Sequence, residues 1–186
     1  MPILVLILYN RSIKTNMKGL LFTVLTLVAG ISFAQTYDLN VENAKVKFEY
    51  VDEGVKGSVS GVKAQLKLEL KDTLSTASIT GTADVTTLST GNKMRDKHLQ
   101  SADFFDAKKY PEMSFTCDEV IQKGDKQYAR GTLKIKDVEK TVKFRIKTSD
   151  DYISFYTTIF SLDYGVAVKK GRDTSKVKIQ VIVPAK

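Results

Sequence analysis

The sequence is poor in the residues that build disulfides and zinc sites. Its 186 residues include one cysteine, one histidine and no tryptophan. A single cysteine excludes an intramolecular disulfide, and one histidine without a cysteine cluster disfavours a zinc site. Because Cys117 follows Met113 and Phe115 at alternate positions, we predict that it is a small buried hydrophobic side chain without special reactivity.

The sequence has no long apolar run after residue 34. Before that point, Lys18 precedes the apolar stretch 20–29, and Ser32-Phe33-Ala34 gives the small-x-small pattern that signal peptidase cleaves. The stretch is shorter than the roughly 20 residues that span a membrane. We therefore predict a signal peptide at residues 1–34, with Met17 as an alternative start, and a periplasmic or secreted domain at residues 35–186.

The positive charge does not indicate nucleic-acid binding. The net charge is +8, and removal of Arg11, Lys14 and Lys18 with the signal peptide leaves +5. The remaining lysines are spread singly along strand faces, whereas a nucleic-acid site has clustered charge with exposed aromatic side chains. We expect a solvated outer face and no nucleic-acid partner.

Most of the remaining sequence alternates between apolar and polar residues, which is typical of half-buried strands. Between residues 62 and 71, Val62, Ala64, Leu66, Leu68 and Leu70 share one face. Similar patterns predict eight or more antiparallel strands, at residues 44–52, 62–71, 75–86, 113–121, 127–136, 140–148, 152–162 and 175–183. Glycines at 54, 57 and 61 indicate bends or bulges between the first two.

One apolar face per strand fits either a sandwich or a closed barrel. Strand length, glycines within strands and the need to remove exposed edges favour the barrel. Several residues on the predicted inner faces are small, which either leaves room for a ligand or merely permits bending and close packing; they are Ala64, Ala77, Gly81, Ala83, Ala129 and Gly131.

Residues 90–111 interrupt the strand pattern. Asn92 is a suitable N-cap, residues 93–100 fit a short helix, and Pro111 ends the connection. The segment 90–106 reads TGNKMRDKHLQSADFFD and is followed by Tyr110-Pro111 and Phe115. This pattern resembles the signature of the YceI-like family, T-G-x-x-x-R-D-x-H-L-x-S-x-D-F-F-D followed by Y-P and phenylalanine.

A second block, residues 131–142, is similar to that family's G-x-L-T-I-x-G-V-T-K-x-V. Lys134 and Asp137 stand in place of threonine and glycine, and Glu139 replaces the second threonine. The resemblance covers residues 37 to the last strand. The chain departs from the family at residues 51–61, which are glycine-rich and lack the usual aromatic residues, and in having no tryptophan.

The resemblance implies an all-β, lipocalin-like antiparallel barrel of eight or slightly more strands with a short helical insertion in the middle. It also implies a bacterial exported protein that holds a polyisoprenoid or related amphiphile and is not an enzyme. We further expect no cofactor and transient contact with a membrane. We leave the oligomeric state open. Sequestration in a dry interior would be driven by roughly 0.8 kcal/mol per buried CH₂ group.

Strand parity and the central segment give the candidate ligand-binding residues: Phe48, Leu66, Leu68, Ile79, Gly81, Ala83, Val85, Met94, Leu99, Phe104, Phe105, Phe115, Leu133, Phe144 and Val181. A second group carries the family pattern and is predicted to be structural: Arg95, Asp96, His98, Ser101, Asp103, Asp106, Tyr110 and Pro111.

Two other functions fit parts of the sequence. An exported hydrolase could use the cluster Arg95, Asp96, His98 and Asp103, because a carboxylate can orient a histidine as a general base. No serine or cysteine lies in a recognisable nucleophile motif, however. A structural or adhesive module should expose aromatic residues, and most aromatic residues here fall on inner faces or in the central segment.

Overall fold

The computed structural model describes residues 41–69 and 76–186, with the backbone alone at 66–69 and 76–78. The predicted signal peptide and residues 70–75, which join the predicted strands 62–71 and 75–86, lie outside these residues. Within the described ranges, no helix combines the length and the apolar composition that a membrane span requires.

The described chain is mostly antiparallel strand with one short α-helix. The strands are β1 Lys45–Tyr50, β2 Val55–Val59, β3 Lys63–Glu69, β4 Thr76–Asp84, β5 Glu112–Lys123, β6 Lys126–Ile135, β7 Val138–Thr148, β8 Tyr152–Phe160 and β9 Lys176–Pro184. The helix α1 spans Lys93–Leu99, and short 3-10 turns cover Val41–Asn43, Val85–Thr87, Ser161–Tyr164 and Asp173–Ser175.

All nine strands form one sheet in the order β2-β1-β9-β8-β7-β6-β5-β4-β3. From β3 to β9, consecutive strands pair as antiparallel neighbours, and β9 then pairs with β1. The strands at the two sheet edges, β2 and β3, are consecutive in the chain and joined by residues 60–62. The sheet therefore curls until its edges approach each other, as in a lipocalin-like barrel.

The end of β4 and the segment after it contact the edge strand β2 and the connection that follows it. Ser58 of β2 and Ser89 exchange backbone hydrogen bonds of 2.8 and 2.9 Å. The Ser60 amide donates to Thr87 Oγ1 at 2.8 Å, and the Asp84 amide donates to the Ser60 carbonyl at 3.2 Å. These contacts hold β2 and the β2–β3 connection against the segment that follows β4.

The curled sheet has two distinct ends. The connection 85–111, which contains α1, lies where β4 ends and β5 begins, and we call this the helix end. Towards the opposite end, Ala129, Phe144 and Ile146 pack with neighbouring apolar side chains. They follow the predicted parity and are 0%, 4% and 7% exposed.

The β7–β8 ladder is incomplete. Its registered pairs run from Thr148↔Ile153 to Arg145↔Tyr156, whereas β7 begins at Val138 and β8 ends at Phe160. Residues 138–144 and 157–160 are therefore outside this ladder. We call this part the β7–β8 seam; it lies at the helix end.

The eight predicted strands and the short helix are confirmed, and β2 is an additional strand. The sequence pattern missed β2 because Gly54 and Gly57 interrupt the alternation. Gly57 is required there: a Cβ at this position would lie 2.4 Å from Cζ of Phe48 and 2.6 Å from the Ser89 carbonyl oxygen. Cys117 is half-buried and lies at a bulge in the β5–β6 pairing. Burial raises the pKa of its thiol, which disfavours the reactive thiolate.

Candidate functional site

The inside of the curled sheet contains an apolar cavity of about 240 Å³ at the helix end. Strands β1, β2, β5, β6, β8 and β9 supply most of the wall, and the connection 85–111 covers it. Wall side chains include Val46, Phe48, Tyr50, Val55, Val59, Leu88, Leu99, Phe104, Phe105, Met113, Ile135, Ile159, Ser161, Tyr164, Val166, Val177 and Ile179. The exposed members of the wall, Glu53, Arg95, His98 and Val168, mark its mouth.

A second apolar cavity of about 120 Å³ lies further along the same interior. The two cavities share Val46, Met113, Ile135 and Ile179 in their walls. The inner cavity is also lined by Val62, Ala64, Ile79, Gly81, Ala83, Phe115, Leu133, Phe144, Phe155, Val181 and Val183. The rings of Phe115 and Phe144 meet edge to face there, with centroids 4.8 Å apart. Together the cavities form an elongated apolar interior.

The helix α1 is positioned by its own N-cap. The Asn92 side chain accepts hydrogen bonds from the amides of Met94 and Arg95, both at 3.1 Å, as predicted for this residue. Gln100, just after the helix, donates to the carbonyls of Thr86 and Leu88 at 3.0 and 3.2 Å. These contacts fix the helix over the cavity.

Arg95 and Asp96 hold the loop that precedes the helix. Asp96 accepts hydrogen bonds from the amide and hydroxyl of Thr90 and from the Ser89 hydroxyl. Desolvation raises the pKa of Asp96, but these hydrogen bonds outweigh it and leave the pKa below its ordinary value. Arg95 donates from Nε to Thr90 Oγ1 at 2.8 Å and from Nη2 to the Thr90 carbonyl at 3.1 Å.

His98 contacts Asp103 and Phe104 rather than Asp96. Its Nε2 lies 3.4 Å from Oδ2 of Asp103, and both side chains are largely exposed. Its ring meets Phe104 edge to face, with centroids 4.8 Å apart. The Ser101 hydroxyl donates to the His98 carbonyl at 2.7 Å. The two carboxylates of the hydrolase hypothesis therefore have different partners. Asp96 binds Ser89 and Thr90 in the preceding loop, and Asp103 pairs with His98 at the surface.

The rest of the family pattern shapes the connection back to the sheet. Asp106 adopts a positive φ of 48° and donates its amide to the Ser101 carbonyl at 2.8 Å. The Pro111 carbonyl accepts from the Val85 amide at 2.8 Å. Tyr110 donates to Oδ2 of Asp137 at 3.2 Å, which links the two sequence blocks.

Two departures from the family pattern pair with each other. Lys134 and Glu139, at the end of β6 and the start of β7, form a half-exposed ion pair with Nζ and Oε1 2.9 Å apart. Lys134 lies directly opposite Glu139 in the ladder. Opposite charges at facing positions stabilise an antiparallel pair modestly, so the two replacements compensate each other.

The structure places most of the predicted interior residues in the two cavity walls. Phe48, Leu99, Phe104 and Phe105 line the helix-end cavity. The inner cavity wall contains Ile79, Gly81, Ala83, Phe115, Leu133, Phe144 and Val181. Val85 is buried but lines neither cavity. The side chains of Leu66 and Leu68 lie outside the described set.

The prediction that Met94 is a ligand-binding residue of the interior is wrong, because its side chain is 85% exposed and lines neither cavity. Met94 and Leu99 are five residues apart in α1, so their side chains point in directions about 140° apart around the helix axis. Met94 and Leu99 therefore cannot both face the cavity, and Leu99 is the residue that does.

Sequence reasoning missed Tyr50, Ser161 and Tyr164, which also line the helix-end cavity. Tyr50 shares the strand parity of Phe48, and this signal could have identified it. Ser161 and Tyr164 lie in a 3-10 turn after β8, where strand parity no longer applies. Burial raises the pKa of Tyr164 to about 12.

A nine-stranded curled antiparallel sheet around an elongated apolar interior defines the lipocalin-like class of barrel. The chain belongs to the YceI-like family, whose domain model matches residues 37–184. It is 30% identical to Protein YceI of Escherichia coli O157:H7 over 139 residues, which cover 72% of each chain.

Several solved structures share the fold, and two of them follow. Burkholderia cenocepacia BcnA has a TM-score of 0.68 and 23% sequence identity, covering 80% of this chain and 100% of BcnA. A polyisoprenoid binding domain from Saccharophagus degradans, implicated in plant cell wall breakdown, has a TM-score of 0.54 and 12% identity, covering 81% and 97% of the two chains.

Proposed function

We propose that this protein binds a long-chain amphiphile of isoprenoid type inside the curled sheet and sequesters or carries it without chemical change. The observation that carries the proposal is the pair of adjoining apolar cavities, which share Val46, Met113, Ile135 and Ile179. An apolar chain, rather than a compact polar molecule, suits an elongated interior with such walls.

The physical basis is transfer of hydrocarbon out of water. Each CH₂ group that enters an apolar interior contributes roughly 0.8 kcal/mol. Cavities lined by aliphatic and aromatic side chains do not hold water well, so little solvent has to be displaced. A chain of several isoprene units would gain enough to bind without a specific polar contact.

The relative from Saccharophagus degradans supports the choice of ligand class. It is described as a polyisoprenoid binding domain, and its chain folds as this one does. We propose that Phe48, Leu99, Phe104 and Phe105 contact the ligand near the mouth. Further inside, the proposed contacts are Ile79, Gly81, Ala83, Phe115, Leu133, Phe144 and Val181, with Leu66 and Leu68 on the neighbouring strand.

Export is part of the proposal. Lys18, the apolar stretch 20–29 and Ser32-Phe33-Ala34 support a signal peptide, and a lipid carrier in the periplasm or outside the cell would then reach membrane lipids by transient contact. N-terminal sequencing of the protein from the extracytoplasmic fraction should begin at Gln35. A soluble extracytoplasmic protein that retains residues 17–34 would contradict this.

Native mass spectrometry of the purified protein tests the binding proposal. We expect a bound mass that organic extraction removes and that matches an isoprenoid-type lipid. Apo-protein prepared by extraction should regain one equivalent from a dispersed polyprenol. Protein that carries no lipid as purified and takes up none after extraction would show that the interior is not a lipid site.

A further inference from the structure

Exposed apolar side chains are concentrated at the helix end. In the described ranges, the large hydrophobic residues that are exposed are Val51, Met94, Tyr152 and Val168. Val168 lines the mouth of the helix-end cavity, and Val51 directly follows Tyr50 of its wall. Met94 lies one helical turn before the mouth residue His98 and therefore on the same side of α1. Three of the four thus lie at the end where the cavity opens.

The outer face of α1 carries Met94 beside two lysines. An α-helix turns by about 100° per residue, so Lys97 points about 60° and Lys93 about 100° to one side of Met94. Asp96 is the only acidic residue of α1 and points about 160° away from Met94. Its carboxylate accepts hydrogen bonds from the preceding loop instead. The face around Met94 is therefore an apolar side chain next to positive charge.

The loops that carry Val51 and Val168 are joined by ion pairs. Nζ of Lys169 lies 2.7 Å from Oδ2 of Asp52 and also contacts the carboxylate of Glu53. Hydrogen bonds to these carboxylates raise the pKa of Lys169, so its ammonium group is charged at neutral pH. Lys169 therefore offsets one of the two negative charges and holds Val168 at the mouth.

Three lysines beside these apolar side chains are exposed and have no ion pair in the part of the chain that the structure describes: Lys93, Lys97 and Lys170. The first two flank Met94, and Lys170 is two residues after Val168. Their positive charge is available to an anionic partner.

Exposed apolar side chains that alternate with lysines are typical of a surface that lies on a lipid membrane. The apolar side chains enter the interface, and the lysines meet the phosphate groups. We propose that the helix end docks on an anionic phospholipid membrane through Met94, Val168 and the adjacent lysines. This inference rests on the proposed lipid-binding function and adds the surface at which the cavity mouth meets the membrane. A lipid that moves between bilayer and cavity at this contact does not have to cross water.

The absence of tryptophan from the sequence permits a position-specific test. Met94→Trp and Val168→Trp each place a single tryptophan at the proposed surface. Tyr152→Trp is the control, because Tyr152 begins β8 at the opposite end and is 41% exposed, as Val168 is. Each variant is mixed with vesicles of equimolar phosphatidylcholine and phosphatidylglycerol, with or without brominated acyl chains. All variants share one N-terminus, so any contribution of residues 1–34 is common to them.

We expect tryptophan emission to shift to the blue and to be quenched by the brominated chains in Met94→Trp and Val168→Trp. Neither change should occur in Tyr152→Trp. Thermal melts should show that all three variants stay folded, because each exchange is at an exposed side chain.

A second test removes charge and needs no tryptophan. The double variant Lys93→Gln, Lys97→Gln should bind the same vesicles more weakly than the parent, roughly 5-fold per lysine, measured by co-sedimentation. The matched control is Lys123→Gln, Lys126→Gln, which removes two exposed lysines from the β5–β6 turn at the opposite end. It should bind as the parent does.

The outcomes separate the inference from the proposed function. No response of Met94→Trp and Val168→Trp, or an equal response of Tyr152→Trp, in protein that still takes up dispersed polyprenol would overturn the docking surface and leave lipid binding intact. Equal vesicle binding by the parent and the Lys93→Gln, Lys97→Gln variant would also overturn it. A blue shift without vesicles that grows with protein concentration would indicate a second copy of the chain instead. If the protein takes up no polyprenol, dispersed or from vesicles, the proposed function fails, and the inference fails with it.

Discussion

The replacement Gly81→Val tests whether the inner cavity is ligand space or packed core. Gly81 lies on β4 opposite Ala64 and Phe115 and lines the inner cavity. A Cβ at this position would lie 3.6 Å from Cβ of Ala64 and 3.7 Å from the Lys63 carbonyl oxygen, which are ordinary contacts. Its backbone needs no positive φ, so valine can adopt the conformation without strain.

The expected change is therefore in binding rather than in stability. Valine adds three carbon atoms and should displace about three CH₂ groups of the ligand from the cavity. At roughly 0.8 kcal/mol per CH₂ group, the binding free energy falls by about 2 kcal/mol, which is roughly 30-fold weaker lipid binding. The free energy of unfolding should stay the same or rise by up to about 1 kcal/mol, because valine restricts the unfolded chain. Urea melts and lipid titrations measure the two quantities.

Gly131→Ala provides the contrast. A Cβ at Gly131 would lie 2.1 Å from the Thr116 carbonyl oxygen and 2.7 Å from Cα of Cys117. Both are backbone atoms of β5, so we expect a loss of about 3 kcal/mol or more. If Gly81→Val instead costs about 1–3 kcal/mol of stability and the parent yields no lipid, the interior is closed core and the reasoning is wrong.

Three further predictions concern the central segment. His98→Ala should lower the melting temperature by only about 2–4 °C, through loss of the Phe104 contact, and leave lipid occupancy unchanged; normal stability with loss of a catalytic turnover would indicate an enzyme. Asn92→Ala should cost about 1 kcal/mol in urea melts, the usual value of an N-cap, and no change would mean that the helix is held by packing alone. The pKa of Asp96 is depressed in the folded protein. Its contribution to the free energy of unfolding is therefore present above the unfolded pKa of 3.8 and is lost as the pH falls through the folded pKa. The parent should therefore exceed Asp96→Asn in stability at pH 7 and approach it at about pH 2, and a constant difference would contradict this.

Alternating strands were predictable because side-chain parity is local. Phe144, Ile146 and Ala129 are buried as the pattern indicates, since each lies in a strand that is polar on its other face. The Asn92 cap was predictable for a similar reason: its side chain satisfies amides only two and three residues away.

The remaining features depend on distant parts of the chain. The strand β2 is hidden in the sequence because Gly57 must leave space for Phe48 and for Ser89, which is far along the chain. The exposure of Met94 follows from the rotation of α1 that places Leu99 over the cavity. The position of Tyr164 in the wall is set by the turn after β8, and no periodic pattern extends into that turn.

The β7–β8 seam leaves the circumference of the curled sheet less constrained at the helix end than elsewhere. In a barrel whose ladders are complete, strand number and register fix the circumference. Here the hydrogen-bonded ladder between β7 and β8 stops at the pair Arg145↔Tyr156, so backbone pairing is interrupted at the helix end. Val138 and Val142 pack against the cluster of Ile159 and Tyr164 on the inside of that interruption. The circumference of the sheet at the helix end is therefore set between β7 and β8 by side-chain packing rather than by backbone hydrogen bonds.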